Sequence, residues 1–245
     1  MLNLLNSLAV SFDLPILDWI QSTLQSGFMD FIMPIITIFG DAGIFWMLCA
    51  AALLFFPQTR KTGLGMAFAM AIGLLICNII LKPLVARPRP YDFQINELGK
   101  QWEDFLLAGK LLIGKQSDFS FPSGHTIASF EACSVLMIND KRLGIPATIL
   151  AILIAFSRLY LYVHYPTDVI FSIIFGILFG VVGNMIAQRV KLPEIGRRGK
   201  FQAYLYITRL AAKMAASFCF DSWTSINCSL NENADCHASV RTGSQ

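Results

Sequence analysis

The sequence predicts an all-α fold, a polytopic membrane helix bundle of about six spanning helices. The 245 residues are 55% hydrophobic and only 14% charged, against roughly 25% charged in a soluble domain. Mean hydropathy is +0.58. The charges are also clustered. Twenty uncharged residues separate Lys61 from Lys82, and another twenty separate Asp168 from Arg189. Each gap is about the length a helix needs to cross the hydrocarbon core. Residues 1–195 are expected to form one membrane-embedded domain, and residues 196–245 a separate tail.

Leu14 to Gln25 reads as an amphipathic or interfacial helix. A first span follows over about Leu24–Phe39, interrupted by Asp30 and Pro34. The second covers about Ala42–Pro57 and the third Thr62–Leu81, with Lys82 at its end. A long connection runs from Pro83 to Phe121, in which Trp102–Leu112 can form a short surface helix. The fourth span is expected from Pro122 to about Ile138, the fifth from Leu143 to Tyr162, and the sixth from Thr167 to Gln188. Beyond Gly196, Phe201–Phe220 has helical apolar character broken by Arg209 and Lys213. That pattern fits a cytoplasmic or interfacial helix better than a seventh span. The Ser- and Asn-rich end after Asp221 reads as disordered.

With six spans, Arg60, Lys61, Lys141, Arg142, Arg189, Lys191, Arg197, Arg198 and Lys200 all fall on one side. The positive-inside rule makes that side cytoplasmic and puts both termini there. The connection from Tyr91 to Ser120 carries five acids against three lysines, as an outer loop should. A net charge of +3 gives no nucleic-acid patch. Cys49, Cys77 and Cys133 lie in apolar runs and read as small core residues. Cys219, Cys228 and Cys236 lack zinc-like spacing, so no disulfide and no metal is expected. The N-terminus lacks the basic region and cleavage site of a signal peptide.

Three short segments carry chemistry: Lys82-x6-Arg89-Pro90, Pro122-Ser123-Gly124-His125, and Ser157-Arg158-x5-His164-x3-Asp168. The six-span topology brings all three to the outer face. Pro122-Ser123-Gly124-His125 reads as a helix N-terminus, whose free N–H groups and positive end suit an anion. Proline costs nothing in a first turn, glycine permits close backbone approach, and Ser123 adds a hydroxyl. Alone this is a capped helix start; with the flanking segments it is an anion site. Lys82, Arg89 and Arg158 are costly near a bilayer without partners. Gripping one phosphate resolves that cost, arginine in bidentate fashion. Arg87 falls inside the motif spacing and reads as an interfacial snorkelling residue.

His164 and Asp168 are four apart. Asp168 can accept from one ring nitrogen and leave the other free to attack. It also suits a helix N-cap, and the two roles are compatible. His237 lies in the tail and reads as incidental. Glu131 is six residues past His125, about 240° round a helix, and is expected to face elsewhere as a structural partner. Trp46, Tyr160, Tyr162 and Tyr165 read as packing or interfacial residues.

Together the three segments resemble the type 2 phosphatidic acid phosphatase superfamily, which includes membrane lipid phosphatases and soluble vanadium haloperoxidases. The resemblance covers roughly Leu24–Gln188. It implies His164 as nucleophile forming a phosphohistidine, Asp168 orienting it, and His125 protonating the leaving oxygen and then activating water. It further implies that Lys82, Arg89, Arg158, Ser123 and the Gly124 backbone hold the phosphoryl oxygens, with no cofactor and no metal. The expected substrate is a lipid phosphate or diphosphate of the plasma membrane, foremost undecaprenyl diphosphate. Phosphatidylglycerophosphate and phosphatidate are alternatives. A lipid-diphosphate-dependent phosphotransferase would use the same phosphohistidine. A haloperoxidase-like oxidant would be soluble and longer, and a non-catalytic binder is expected to have lost one of these residues.

Overall fold

The computed structural model describes residues 7–99 and 112–191. Among the described residues the regular structure is all helical, with no strand. Helix α1 (Leu14–Leu24) continues from a π-turn over Ala9–Asp13, with Pro15 in its first turn. Helix α2 (Gly27–Ile38) is capped by Ser26, whose hydroxyl accepts from the Met29 N–H at 3.4 Å. A 3₁₀ turn over Asp41–Gly43 leads into α3 (Ile44–Phe55). Helix α4 (Arg60–Gly73) runs on through a π-helical stretch, Leu74–Leu81, and a last turn, Lys82–Val85. Pro90, favoured in a first turn, opens α5 (Pro90–Leu98). The bundle is completed by α6 (Gly124–Asn139), α7 (Lys141–Tyr160) and α8 (Pro166–Arg189).

Four runs are long and apolar enough to cross a membrane: Gly27–Phe55, Arg60–Leu98, Lys141–Tyr160 and Pro166–Arg189. The first holds two of the expected spans. The expected fourth span, α6, is shorter at 16 residues. The expected surface helix over Trp102–Leu112 falls almost wholly outside the described residues, as does all that was expected of the tail.

Helix α8 packs on α4 and α6, α6 packs on α7, and α3 packs on α4. One core joins Trp46, Met66, Phe130, Val135, Ile154 and Val169 across these helices. The Trp46 indole donates to the Ser129 hydroxyl at 3.0 Å, so this tryptophan is a core residue. Small residues let the backbones approach closely, as membrane helices require. A Cβ on Gly183 would lie 2.5 Å from the Ala69 nitrogen, and one on Gly180 would lie 2.9 Å from the Glu131 carbonyl oxygen. Outward, α7 and α8 expose Ile145, Ile149, Ile152, Ile170, Ile174 and Ile177.

Chain direction fixes two ends of this bundle. Arg60, Lys141 and Arg189 stand at one end, where Lys61 donates to the Gln188 carbonyl at 2.9 Å. Lys82, His125, Arg158 and Asp168 stand at the other. A second core lies at this motif end and joins Leu17, Ile20, Met33, Tyr91, Tyr160, Tyr162 and Tyr165.

Helices α1 and α2 are tied to the motif end throughout. Gln21 donates to the Tyr160 carbonyl, and the Tyr162 hydroxyl donates to Asp18 at 2.9 Å. The Tyr160 hydroxyl donates to Asp30 at 2.6 Å, and Arg158 donates to the Thr37 hydroxyl at 2.6 Å. Asp30 and Thr37 are about 10 Å apart along α2 at 1.5 Å per residue. Their partners are two residues apart on α7. These contacts set α2 across the end of the bundle, where the sequence led us to expect a first span. Five helices, α3, α4, α6, α7 and α8, run between the two ends. The polar pair Asp30 and Thr37 explains the difference, since it matches partners available only at the motif end.

Arg87 corrects another expectation. It is fully buried rather than snorkelling. Its guanidinium donates to Asp168 at 2.5 Å, to Asp13 at 2.7 Å and to the Thr167 hydroxyl at 2.8 Å, and it lies 3.7 Å from the Tyr165 ring centroid. Asp13 in turn accepts from the Thr167 N–H at 2.9 Å. One arginine thereby joins the N-terminal π-turn to the start of α8. Sequence spacing gave no hint of this, because both carboxylates are more than seventy residues away.

Removing one partner of a buried ion cluster leaves an uncompensated charge and costs about 3–5 kcal/mol. Arg87→Ala is therefore expected to lower the thermal midpoint in detergent sharply and to free Asp13–Ile38 to exchange amide hydrogens. Unchanged protection of that segment would refute the docking role. Gly183→Leu is expected to destabilise by about 1–3 kcal/mol or more, since the clash is with backbone. Gly27→Leu, with nothing within 4 Å of its Cβ position, is the control; thermal unfolding of both variants compares them.

Candidate active site

The three cations meet at the motif end from different helices. Lys82 ends the π-stretch of α4, Arg89 precedes α5, and Arg158 lies in the last turn of α7. Arg89 is clamped: it donates through Nε to the Asp118 carbonyl at 2.9 Å and through a terminal guanidinium nitrogen to the Val163 carbonyl at 2.8 Å. The Asp118 carboxylate accepts from both Lys82 and Arg89. Burial alone would raise the Asp118 carboxyl, but the Lys82 hydrogen bond and the Arg89 charge outweigh it and hold it at about 2. Arg158 is buried, and its Nε has no hydrogen-bond partner.

His164 sits in the turn between α7 and α8, buried to 1% exposure. Its Nε2 lies 3.4 Å from an Arg89 guanidinium nitrogen, while its Nδ1 faces Asp168 at 3.7 Å. That second distance is an ion-pair separation, longer than a hydrogen bond, and Nδ1 has no hydrogen-bond partner. Burial, and then the charges of Arg89, Arg158 and Lys82, push the imidazole well below its usual range. Its free form, the one with a lone pair on a ring nitrogen, is thereby favoured at neutral pH.

His125 lies in the first turn of α6, with Nε2 3.6 Å from Asp41. The turn before α3 approaches it so closely that a Cβ on Gly40 would fall 2.9 Å from the His125 ring and 2.7 Å from Ile154. Any larger side chain there would push into the imidazole.

A cavity of about 730 Å³ gathers these groups. Lys82, Arg89, Gly124, His125, Arg158 and His164 line it, together with Asp41 and Asp118. Its apolar arm runs between α3 and α4 past Met47, Ala50, Ala51, Leu54, Ala67 and Met70. The volume is within the range of small-molecule sites. Six of the eight residues expected at the site thus line one space.

The other two lie behind it. Asp168 is fully buried, taking the Ser120 hydroxyl, Arg87 and the Tyr165 N–H at 3.2 Å. Ser123 is buried too. Its hydroxyl accepts from Thr126 at 3.0 Å, and its N–H donates to Ser172 at 2.8 Å. It stands outside the residues lining the cavity.

Sequence reasoning missed Arg87, Ser120, Asp41 and Asp118, and misplaced Glu131. Glu131 lines the same cavity as His125. The helical angle from His125 was right, but Glu131 is seven residues, two turns, below Gly124 and so falls under it. The side chain reaches across to α4, where a Cβ on Gly73 would meet its Oε1 at 1.8 Å. That oxygen has no hydrogen-bond partner.

Comparison with known proteins bears on this geometry. Over 126 residues the chain is 34% identical to an undecaprenyl-diphosphatase of Sulfolobus acidocaldarius, covering 51% of this chain and 55% of that one. It is 30% identical over 158 residues to phosphatidylglycerophosphatase B of Bacillus subtilis, covering 59% and 62%. The chain thus spans under two thirds of the length of either relative. The crystal structure of a transmembrane PAP2-type phosphatidylglycerolphosphate phosphatase from Bacillus subtilis superposes with a TM-score of 0.56 at 22% identity, over 78% of this chain and 94% of that one. The PAP2 superfamily model matches residues 62–191, more than half of the chain and a stretch containing every motif position from Lys82 to Asp168, so this chain belongs to the PAP2 superfamily.

Proposed function

We propose that the protein is a membrane lipid phosphatase that passes the phosphoryl group through a phosphohistidine. The observation that carries this reading is the single cavity where three cations and two histidines meet an apolar arm. Head group and hydrocarbon of one lipid would be accommodated together. His164 Nε2, on the Arg89 side, attacks phosphorus; the P–N bond forms as the P–O bond to the leaving lipid oxygen breaks. His125 takes up a proton when the anionic head group offsets the cations around it, and donates that proton to the leaving oxygen. A water, deprotonated by His125, then attacks the phosphohistidine and releases phosphate. Asp168 steadies the proton on Nδ1, an interaction that tightens from 3.7 Å as catalytic contacts commonly do on binding. Lys82, Arg89, Arg158 and the Gly124 backbone stabilise the equatorial oxygens. These cations supply the charge that a metal ion would otherwise bring.

The preferred substrate is undecaprenyl diphosphate, hydrolysed to the monophosphate; the name of the Sulfolobus relative supports it. One observation favours a second reading, a glycerolipid phosphate. Glu131 presents an unpaired carboxyl oxygen beside the apolar arm; in its protonated form that carboxyl could donate to an ester carbonyl, an acceptor that an isoprenoid chain lacks.

The basic residues at the far end support an extracytoplasmic site. In that arrangement the end of α8 is cytoplasmic, while the described N-terminal helices share the outer face with the site. Residues 1–195 form the catalytic domain in this proposal, and 196–245 are dispensable.

Phosphate release in detergent with EDTA, from undecaprenyl diphosphate, phosphatidylglycerophosphate and phosphatidate, tests the reading. His164→Ala is expected to lose at least about 10³-fold in rate while still folding, by analogy with other nucleophile losses. Full activity in that variant would remove the nucleophile, and loss of wild-type turnover in EDTA would remove metal independence. Deleting 201–245 is expected to leave kcat within about twofold; an inactive but correctly inserted truncation would make the tail part of the enzyme.

A further inference from the structure

Two of the three cations assigned to phosphate are already occupied. One carboxylate oxygen of Asp118 takes Lys82 and the other takes Arg89. The side chains of Lys82 and Arg89 are 12% and 2% exposed, whereas Asp118 is 50% exposed. The carboxylate is therefore the outer layer and the cations lie beneath it. An anion reaching them has to take the carboxylate's place. Release is feasible, because Asp118 can turn to water and its backbone carbonyl remains held by Arg89 Nε at 2.9 Å. The guanidinium also keeps its bond to the Val163 carbonyl, so the cationic floor persists when the carboxylate leaves.

Such an exchange depends on charge. A carboxylate offers two oxygens and one negative charge. A terminal phosphate offers three oxygens and about −1.5 to −2 at neutral pH, and a diphosphate offers more. A phosphodiester carries only one negative charge, so swapping Asp118 for it gains nothing electrostatically. A site opening onto a bilayer is surrounded by phosphodiester head groups, and this threshold would keep them out.

We propose that Asp118 is a specificity-determining residue that stands in for phosphate oxygens on Lys82 and Arg89, yielding to terminal phosphates and diphosphates but not to phosphodiesters. The inference rests on the lipid phosphatase reading above.

The test is competition. Wild-type turnover of its preferred lipid in mixed micelles is measured with phosphatidylglycerol added as a phosphodiester competitor. Wild type is expected to resist it. In Asp118→Asn the half-inhibitory fraction of phosphatidylglycerol is expected to fall by about tenfold or more, given the strength of a unit charge at contact distance. Asp118→Glu, which restores the charge, should restore resistance. Equal resistance in wild type and Asp118→Asn, or equal sensitivity in both, overturns the proposal. A second readout works without turnover. The thermal midpoint of wild type should rise with inorganic phosphate and not with glycerophosphoglycerol at the same concentration. Equal shifts from the two would overturn the proposal even if Asp118→Asn fails to fold. Wild type that shows this selectivity but hydrolyses none of the three lipids would instead sink the phosphatase reading.

Discussion

The motif end is organised around satisfying one buried carboxylate, that of Asp168. Its partners come from three separate segments: Arg87 before α5, Ser120 before α6, and the Tyr165 N–H at the head of α8. Arg87 extends the cluster to Asp13 ahead of α1. A charge this deep is tolerable only with such pairing. The same bonds that satisfy it also hold together the loops that carry the site. Stability of the end cap and geometry of the site are therefore one problem.

The layers follow from that arrangement. Asp168 stands behind His164, and Arg89 stands beside it. The three motif cations would repel one another and lower each other's tolerance for burial if left alone. Carboxylates temper them at the surface of the cavity, Asp118 on Lys82 and Arg89. Along the remaining length of the bundle, small residues such as Gly180 and Gly183 meet neighbouring backbone.

Much of this was legible in the sequence because it obeys local rules. The uncharged twenty-residue gaps gave α4 and α8, and the order Lys82, Arg89, His125, Arg158, His164 named side chains that do share a cavity. What was not legible depends on distant pairing. Arg87 sits two residues from Arg89 and differs from it only in what the fold brings to it. Asp41 and Asp118 belong to loops, where sequence spacing carries no facing rule. Helix α2 has the composition of a span, and only its polar contacts to Arg158 and Tyr160 set it across the end. Ser123 belongs to a motif, yet its hydrogen bonds turn it into the surrounding structure.

The π-helical stretch from Leu74 to Leu81 has a consequence for how such a site can change over time. Its i→i+5 turns advance the rotation more slowly per residue than the α-helix below. The lower part of α4 is locked in phase by close contact with α8 at Gly65 and Ala69. Lys82 has its own bearing on Asp118, the carboxylate it shares with Arg89. The stretch sets a phase offset between the two, so that one continuous helix meets both bearings. Inserting or deleting one residue here would turn the lysine relative to the lower bundle, so the residues of this stretch carry the trim of the site although none of them bears a charge.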